Sequence, residues 1–217
     1  MPDTQARGII IDWGGVLTSP LKPSIDGWLH GEGIDVDGYR RVMKGWMEGA
    51  YALNGGANPI HALERGEVDP AEFERALAVE LRGPNGSPVA AEGLLRRMFA
   101  GFEPVEPMYA MLRRARAAGL RTCLLSNSWG NSYPTELFDE LFDAVVISGE
   151  VGMRKPEERI FRHTVEVFAM EPASCVFIDD IVHNVEAAMR LGIGGVHHRD
   201  PEATIAELER LTGITLR

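Results

Sequence analysis

The run Ile9-Ile10-Ile11-Asp12-Trp13-Gly14-Gly15-Val16 sets the tightest limit on what this chain can fold into. Three apolar residues, one carboxylate and a glycine-rich turn describe a strand buried on both faces that ends in an acid. Open α/β sheets bind ligands outside the carboxyl ends of their strands, so Asp12 is delivered to a binding edge. A second acid two residues on would make a nucleophile and proton-donor pair. That position is Gly14.

The rest of the chain supplies the other strands. Apolar segments at residues 8–11, 122–125, 144–147 and 175–178 read as parallel strands, with a weaker fifth at 195–197. Helical patterns lie between them at 108–118, closed by Gly119, at 157–169, opened by Pro156, and at 184–191, closed by Gly192. Strand–helix alternation predicts an α/β fold with a doubly wound parallel sheet. From about residue 20 to 100 the alternation stops. Residues 39–47, 70–81 and 92–99 have helical character, Asp69 is an N-cap for the second, and Pro84-Asn85-Gly86-Ser87-Pro88 is a loop. The expected organisation is a core of residues 1–18 and 101–217 with a helical insertion of residues 19–100.

Charge excludes some partners. A net charge of -10 argues against a general binder of nucleic acids or acidic membranes, which need clustered Lys and Arg. A small phosphorylated ligand needs only local positive charge. Residues 1–7 lack the apolar core of a signal peptide, and no apolar run is long enough to span a bilayer. Cys123 and Cys175 sit in apolar strand-like runs and read as reduced packing residues. The expected compartment is the cytoplasm; oligomeric state stays open.

Three further strand ends carry polar groups: Ser126-Asn127 after the second strand, Lys155 before a helix, and Asp179-Asp180 after the fourth, with Asn184 close behind. In a parallel sheet these ends converge on one crevice. Several carboxylates at one point repel each other unless a cation lies between them, and oxygen ligands beside a phosphate suit Mg²⁺. Lys155 would neutralise both nucleophile and phosphate, and Ser126 would hold phosphate oxygens. Asp12 would attack phosphorus and form an aspartyl-phosphate.

These four segments, Asp12-Trp13-Gly14-Gly15-Val16, Ser126-Asn127, Lys155-Pro156 and Asp179-Asp180, resemble in order the four motifs of the haloacid dehalogenase-like hydrolase superfamily. The stretches Ile178-Asp179-Asp180-Ile181 and Ala62-Leu63-Glu64-Arg65-Gly66-Glu67 resemble its soluble epoxide hydrolase N-terminal phosphatase branch. The resemblance implies a helical cap in the insertion, with Asp12 as nucleophile and metal ligand and Lys155 bridging it to phosphate. It implies Ser126 and Asn127 on the substrate, and Mg²⁺ held by Asp12, the Gly14 carbonyl and the Asp179/Asp180 pair, Asp180 most directly. It also implies that Gly14 replaces the usual general acid, for which His61, Glu64 or a water would have to substitute. The implied function is a Mg²⁺-dependent phosphatase of a small phosphorylated metabolite.

Alternatives are 2-haloacid dehalogenation, which the acid pair disfavours, phosphonate cleavage with Lys44 as Schiff-base residue, and a catalytically weak phospho-ligand-binding module. Trp13 and Trp129 each follow a motif and are candidates for the pocket wall. His183, His197 and His198 form no metal-ligand spacing.

Overall fold

The computed structural model describes residues 5–49, 58–130 and 133–217, so the first four residues of the polar leading segment lie outside it. The chain runs β1 (Gly8–Ile11), α1 (Leu21–Gly31), α2 (Val36–Gly49), α3 (Pro59–Glu64), α4 (Pro70–Glu80), α5 (Leu94–Phe99), α6 (Glu106–Ala117) and β2 (Arg121–Ser126). It continues through α7 (Phe138–Leu141), β3 (Ala144–Ile147), α8 (Ser148–Val151), α9 (Glu158–Phe168), β4 (Cys175–Asp179), α10 (Val182–Arg190), β5 (Gly194–His197) and α11 (Pro201–Thr212).

All five strands are parallel, in the order β3-β2-β1-β4-β5. Alternation along each strand divides the core in two. Ile9, Ile11, Leu124, Val176 and Ile178 face one layer, with Met108, Met111 and Leu112 of α6 and Leu208 of α11. Ile10, Cys123, Leu125, Cys175 and Phe177 face the other, with Ile160 and Phe161 of α9 and Ala187 of α10. Both cysteines are buried and unpaired. Among the described residues no helix is long and apolar enough to cross a membrane.

Helices α1 to α5 lie between β1 and β2 and bury a core of their own, including Trp28, Leu29, Phe73, Leu77, Leu94 and Met98. The chain leaves and returns along adjacent paths: Ser19 N–H donates to Glu103 O at 2.7 Å, and Val105 N–H to Leu17 O at 3.0 Å. Asp69 caps α4, its side chain accepting from Ala71 N–H at 2.8 Å.

Several elements differ from expectation. Helix α5 begins at Leu94, not residue 92, because Gly93 turns left-handed at φ +66 and the α4 residue Glu74 caps it through Gly93 N–H and Leu95 N–H. Helices α1, α3, α7, α8 and α11 are additional. Two of them start at an Asn-Pro or Asp-Pro step: Asn58 accepts from Ile60 and His61 N–H, and Asp200 from Ala203 N–H.

The α9 residue Phe161 is fully buried and meets Phe177 edge-on, ring centroids 5.3 Å apart. Phe161→Ala should lower unfolding free energy by about 3–5 kcal/mol in urea titrations with the denaturant slope unchanged. A loss below about 1 kcal/mol would contradict this account of the core.

Candidate active site

The sheet turns its winding direction between β1 and β4, and the acids sit there. Ile11 is in register with Ile178, and Asp12 N–H donates to Ile178 O at 2.9 Å. Asp12 and Asp179 therefore leave neighbouring strands side by side at the switch point where such sheets bind ligands.

Lys155 joins them. Its Nζ lies 2.7 Å from Asp12 Oδ1 and 2.7 Å from Asp179 Oδ2, and donates to Leu125 O at 3.1 Å. Three acceptors match the three protons of an ammonium, which is 1% exposed. The main chain of Lys155 is held by Asn127, whose Oδ1 accepts from Lys155 N–H at 2.9 Å and whose Nδ2 donates to Lys155 O at 3.1 Å. Asp179 also accepts from Ile181 N–H at 2.8 Å and from Asn184 Nδ2 at 3.1 Å to each oxygen. It is fully buried and occupied. Among the described residues, the polar contacts of the Asp12 carboxylate fall on Oδ1, from Lys155 and Trp13 N–H, which leaves Oδ2 available.

Asp180 completes the cluster. One carboxylate oxygen from each of Asp12, Asp179 and Asp180 lies within 4.8 Å of the others. A Cβ at Gly15, where φ is +77, would come within 2.5 Å of Asp180 Oδ2. Only glycine there lets the turn pass so close to the acid.

Three carboxylates face one ammonium, and the imbalance appears in the acidities of Asp12 and Asp180. Burial pushes Asp12 up to about 8, the charges of Asp179 and Asp180 adding to it and Lys155 opposing. Burial and then Asp179 push Asp180 up to about 6. For Lys155 burial opposes the charge, but Asp12 and Asp179 outweigh it and hold the ammonium above the usual lysine range. A hard divalent cation fits this cluster: its donors are all oxygen, they converge, and their surplus charge is negative.

The cluster forms the floor of a cavity of about 300 Å³ that reaches to the inserted helices. Asp12, Gly14, Asn127, Lys155, Asp180 and Asn184 line the floor, and Trp129, Arg154, His61 and Glu64 line the sides. Glu64 accepts from Trp129 Nε1 at 3.0 Å on Oε1 and pairs with Arg154 on Oε2. Ser148 Oγ donates to Glu64 O. At the end of α3, a Cβ on Gly66 would meet Gly149 O at 2.3 Å. The insertion is therefore seated tightly on α8.

Several residues sit otherwise than their sequence context suggests. Ser126 is 1% exposed, lies outside the cavity wall, and accepts a hydrogen bond from Tyr133 OH at 3.0 Å. Asn127 reaches the cavity, but both ends of its amide are engaged by the Lys155 main chain. Trp129 lines the cavity; Trp13 instead packs against Tyr133, ring centroids 4.9 Å apart. His183 reaches the cavity, His197 Nε2 is 3.0 Å from Asp180 O, and His198 is buried against Thr204. Lys44 is exposed and outside the cavity wall, which removes the geometric basis for a Schiff-base route. Tyr133 and Arg154 carry no sequence signal beyond their closeness to motif residues.

A family model described as haloacid dehalogenase-like hydrolase matches residues 6–192. The chain is 30% identical to the sesquiterpene phosphatase astK of Aspergillus oryzae, over 70% of this chain and 78% of that one. It is 28% identical to acyl-CoA dehydrogenase family member 10 of Mus musculus and 29% identical to bifunctional epoxide hydrolase 2 of Rattus norvegicus. Those matches cover 97% and 95% of this chain, which spans only 19% and 39% of the two relatives. A HAD family enzyme from Bacteroides thetaiotaomicron, solved with magnesium and inorganic phosphate, shares the fold. It has a TM-score of 0.62 and 24% identity, over 89% of this chain and 94% of that one.

The raised pKa of Asp12 has a consequence for stability. Folding moves it from 3.8 to about 8, so between those values the folded chain keeps a proton that the unfolded chain has released. Without divalent metal, that contribution is fully present below the unfolded value and is lost as pH rises toward 8, by about 1.4 kcal/mol per pH unit at most. Asp12→Asn removes the titration. In EDTA, the variant should therefore gain stability relative to wild type from pH 5 to 8, read by melting temperature, and magnesium should narrow the gap. A difference independent of pH would refute the assignment.

Proposed function

The chain belongs to the haloacid dehalogenase-like hydrolase family, and from that premise we propose that it is a phosphatase of a small phosphorylated metabolite working through Asp12. The observation that carries this reading is the buried Lys155 ammonium 2.7 Å from both Asp12 and Asp179, with Asp180 beside them. A phosphatase among its relatives and a neighbour that holds magnesium and phosphate support it.

In the first step Asp12 Oδ2 attacks phosphorus in line, the ester P–O bond breaks, and its electron pair leaves with the organic oxygen. A water then attacks phosphorus, one of its protons passing through solvent to the organic oxygen released in the first step; the bond to Asp12 breaks, and hydrogen phosphate leaves with the carboxylate restored. Lys155 holds Asp12 and lowers the charge that repels the incoming phosphate. Bound magnesium would supply positive charge at the transferring phosphoryl group, held by Asp12, Asp180 and the Gly14 carbonyl, with Asp179 behind. Ser126, buried outside the cavity wall and bonded to Tyr133, takes no part in these steps, and Asn127 acts by fixing Lys155. The inserted helices, residues 19–100, serve as the cap that excludes water.

Gly14 shapes the substrate range. General acid catalysis is typically worth about a hundred- to ten-thousand-fold. Both oxygens of Glu64 are engaged by Trp129 and Arg154, so it does not replace the missing acid. Burial and then Arg154 hold the His61 imidazole below its usual range, which favours a neutral ring. Leaving groups that depart without a proton, such as aryl and acyl oxygens, lose least.

With magnesium, the protein should release phosphate from an aryl phosphate, and Asp12→Asn should lower that rate at least about a thousandfold. Equal rates for the two proteins would end the phosphatase reading. Stabilisation by phosphate without turnover would mark a binding module instead.

A further inference from the structure

We propose that Arg154 sets specificity by binding a carboxylate on the substrate, placed away from the phosphate ester; the inference rests on the phosphatase reading above. Arg154 and Lys155 bring the lysine and arginine charge to the cavity wall, and they reach in different directions. Lys155 goes to the acid cluster and Arg154 to Glu64 of α3. Lys155 is saturated, its three protons meeting three acceptors. Arg154 is not. A guanidinium carries five N–H donors. Here Nε donates to Glu64 Oε2, and among the described residues neither Nη1 nor Nη2 has a protein acceptor. The side chain is 15% exposed and lines the cavity. Donors so far withdrawn from water favour an acceptor brought in by a ligand.

Charge at this edge is positive in spite of Glu64. His61 lines the same side, and its imidazole is held below the usual range by burial first and Arg154 second. Glu64 opposes Arg154 there and weighs less. The acid cluster limits how much negative charge a ligand can add. With Lys155 as their one cation, Asp12, Asp179 and Asp180 are in excess before any phosphate enters. A second phosphate would add up to about two further charges, a carboxylate only one. A carboxylate is also planar and takes two parallel N–H···O bonds from one edge of a guanidinium. The edge is held in place: the Asn127 amide fixes the main chain of Lys155, the next residue, and Glu64 holds Nε. Such preorganisation lowers the entropy lost on binding.

The test uses the full chain with magnesium and ω-carboxyalkyl phosphates with spacers from butyl to octyl. Each is paired with its carboxamide, which matches it in size and leaving-group basicity but carries no charge. At the best spacer the carboxylate should exceed the carboxamide in kcat/KM by at least about tenfold. Arg154→Gln should bring that ratio down to about one. Arg154→Lys keeps the charge without the fork and should give an intermediate ratio. A loss shared by both substrates reports how the insertion sits on the core, whereas the ratio reports recognition. Glu64→Gln removes the competing charge and should raise the ratio. Carboxyalkylphosphonates, which have no ester bond to break, should raise the melting temperature more than their carboxamides do, and Arg154→Gln should abolish the difference.

A ratio near one at every spacer, or one that Arg154→Gln leaves unchanged, would overturn the inference and leave the phosphatase reading intact. Bisphosphates of the same lengths that outdo the carboxylates would overturn the assignment of a carboxylate. Arg154-dependent stabilisation by the phosphonates without phosphate release from any ester, aryl phosphates included, would overturn the phosphatase reading while the Arg154 site stands. No response in either measurement would overturn both.

Discussion

A lysine ammonium removed from water between two carboxylates is the constraint around which this structure is built. An isolated buried ammonium is strongly unfavourable, and removing one member of such a group leaves an uncompensated charge inside. Lys155 meets that demand only if β1 and β4 are neighbours, since Asp12 follows the one and Asp179 ends the other. Its third acceptor, Leu125 O, requires β2 on the other side of β1. The order β3-β2-β1-β4-β5 satisfies all three at once. Asn127 then fixes the main chain of Lys155 from the end of β2, so one strand end steadies the loop that another strand end needs.

The same arrangement leaves the acids in excess. Lys155 offsets one of three carboxylates, and Asp12 and Asp180 both keep protons more tightly than ordinary acids. A nucleophilic carboxylate must be ionised, so for Asp12 to act as proposed, a site of this charge needs further positive charge. The scaffold thus favours cation and nucleophile together.

Much of this was legible in the sequence because buried parallel strands leave an unmistakable trace. The runs that end in Asp12, Ser126 and Asp179 are apolar on both faces, and their register carries the polar ends to one edge. The helices α3 and α11 were harder to see. Asn58-Pro59 and Asp200-Pro201 are good start signals, but α3 is six residues long and α11 buries only Thr204, Ile205, Leu208 and Thr212. Asn127 shows a different limit. An amide after a strand reads the same whether it faces a ligand or a neighbouring backbone, and here it faces the backbone. The Glu64–Arg154 pair spans 90 residues and exists only once the insertion is seated on the core. Nothing local in either segment encodes it.

That pair links the missing acid at Gly14 to the character of the cavity. Glu64, held by Arg154 Nε and Trp129 Nε1, is withdrawn from proton transfer, while Arg154 stays in the cavity wall. The surrounding wall is apolar, so a departing oxygen that carries negative charge meets little solvation from the protein. On the proposed phosphatase reading, the charge lies at one end of the cavity, where Lys155 and the acid cluster sit, and apolar side chains line the other. On that reading, with Gly14 in place of an acid, the basicity of the leaving oxygen is what the site would discriminate by.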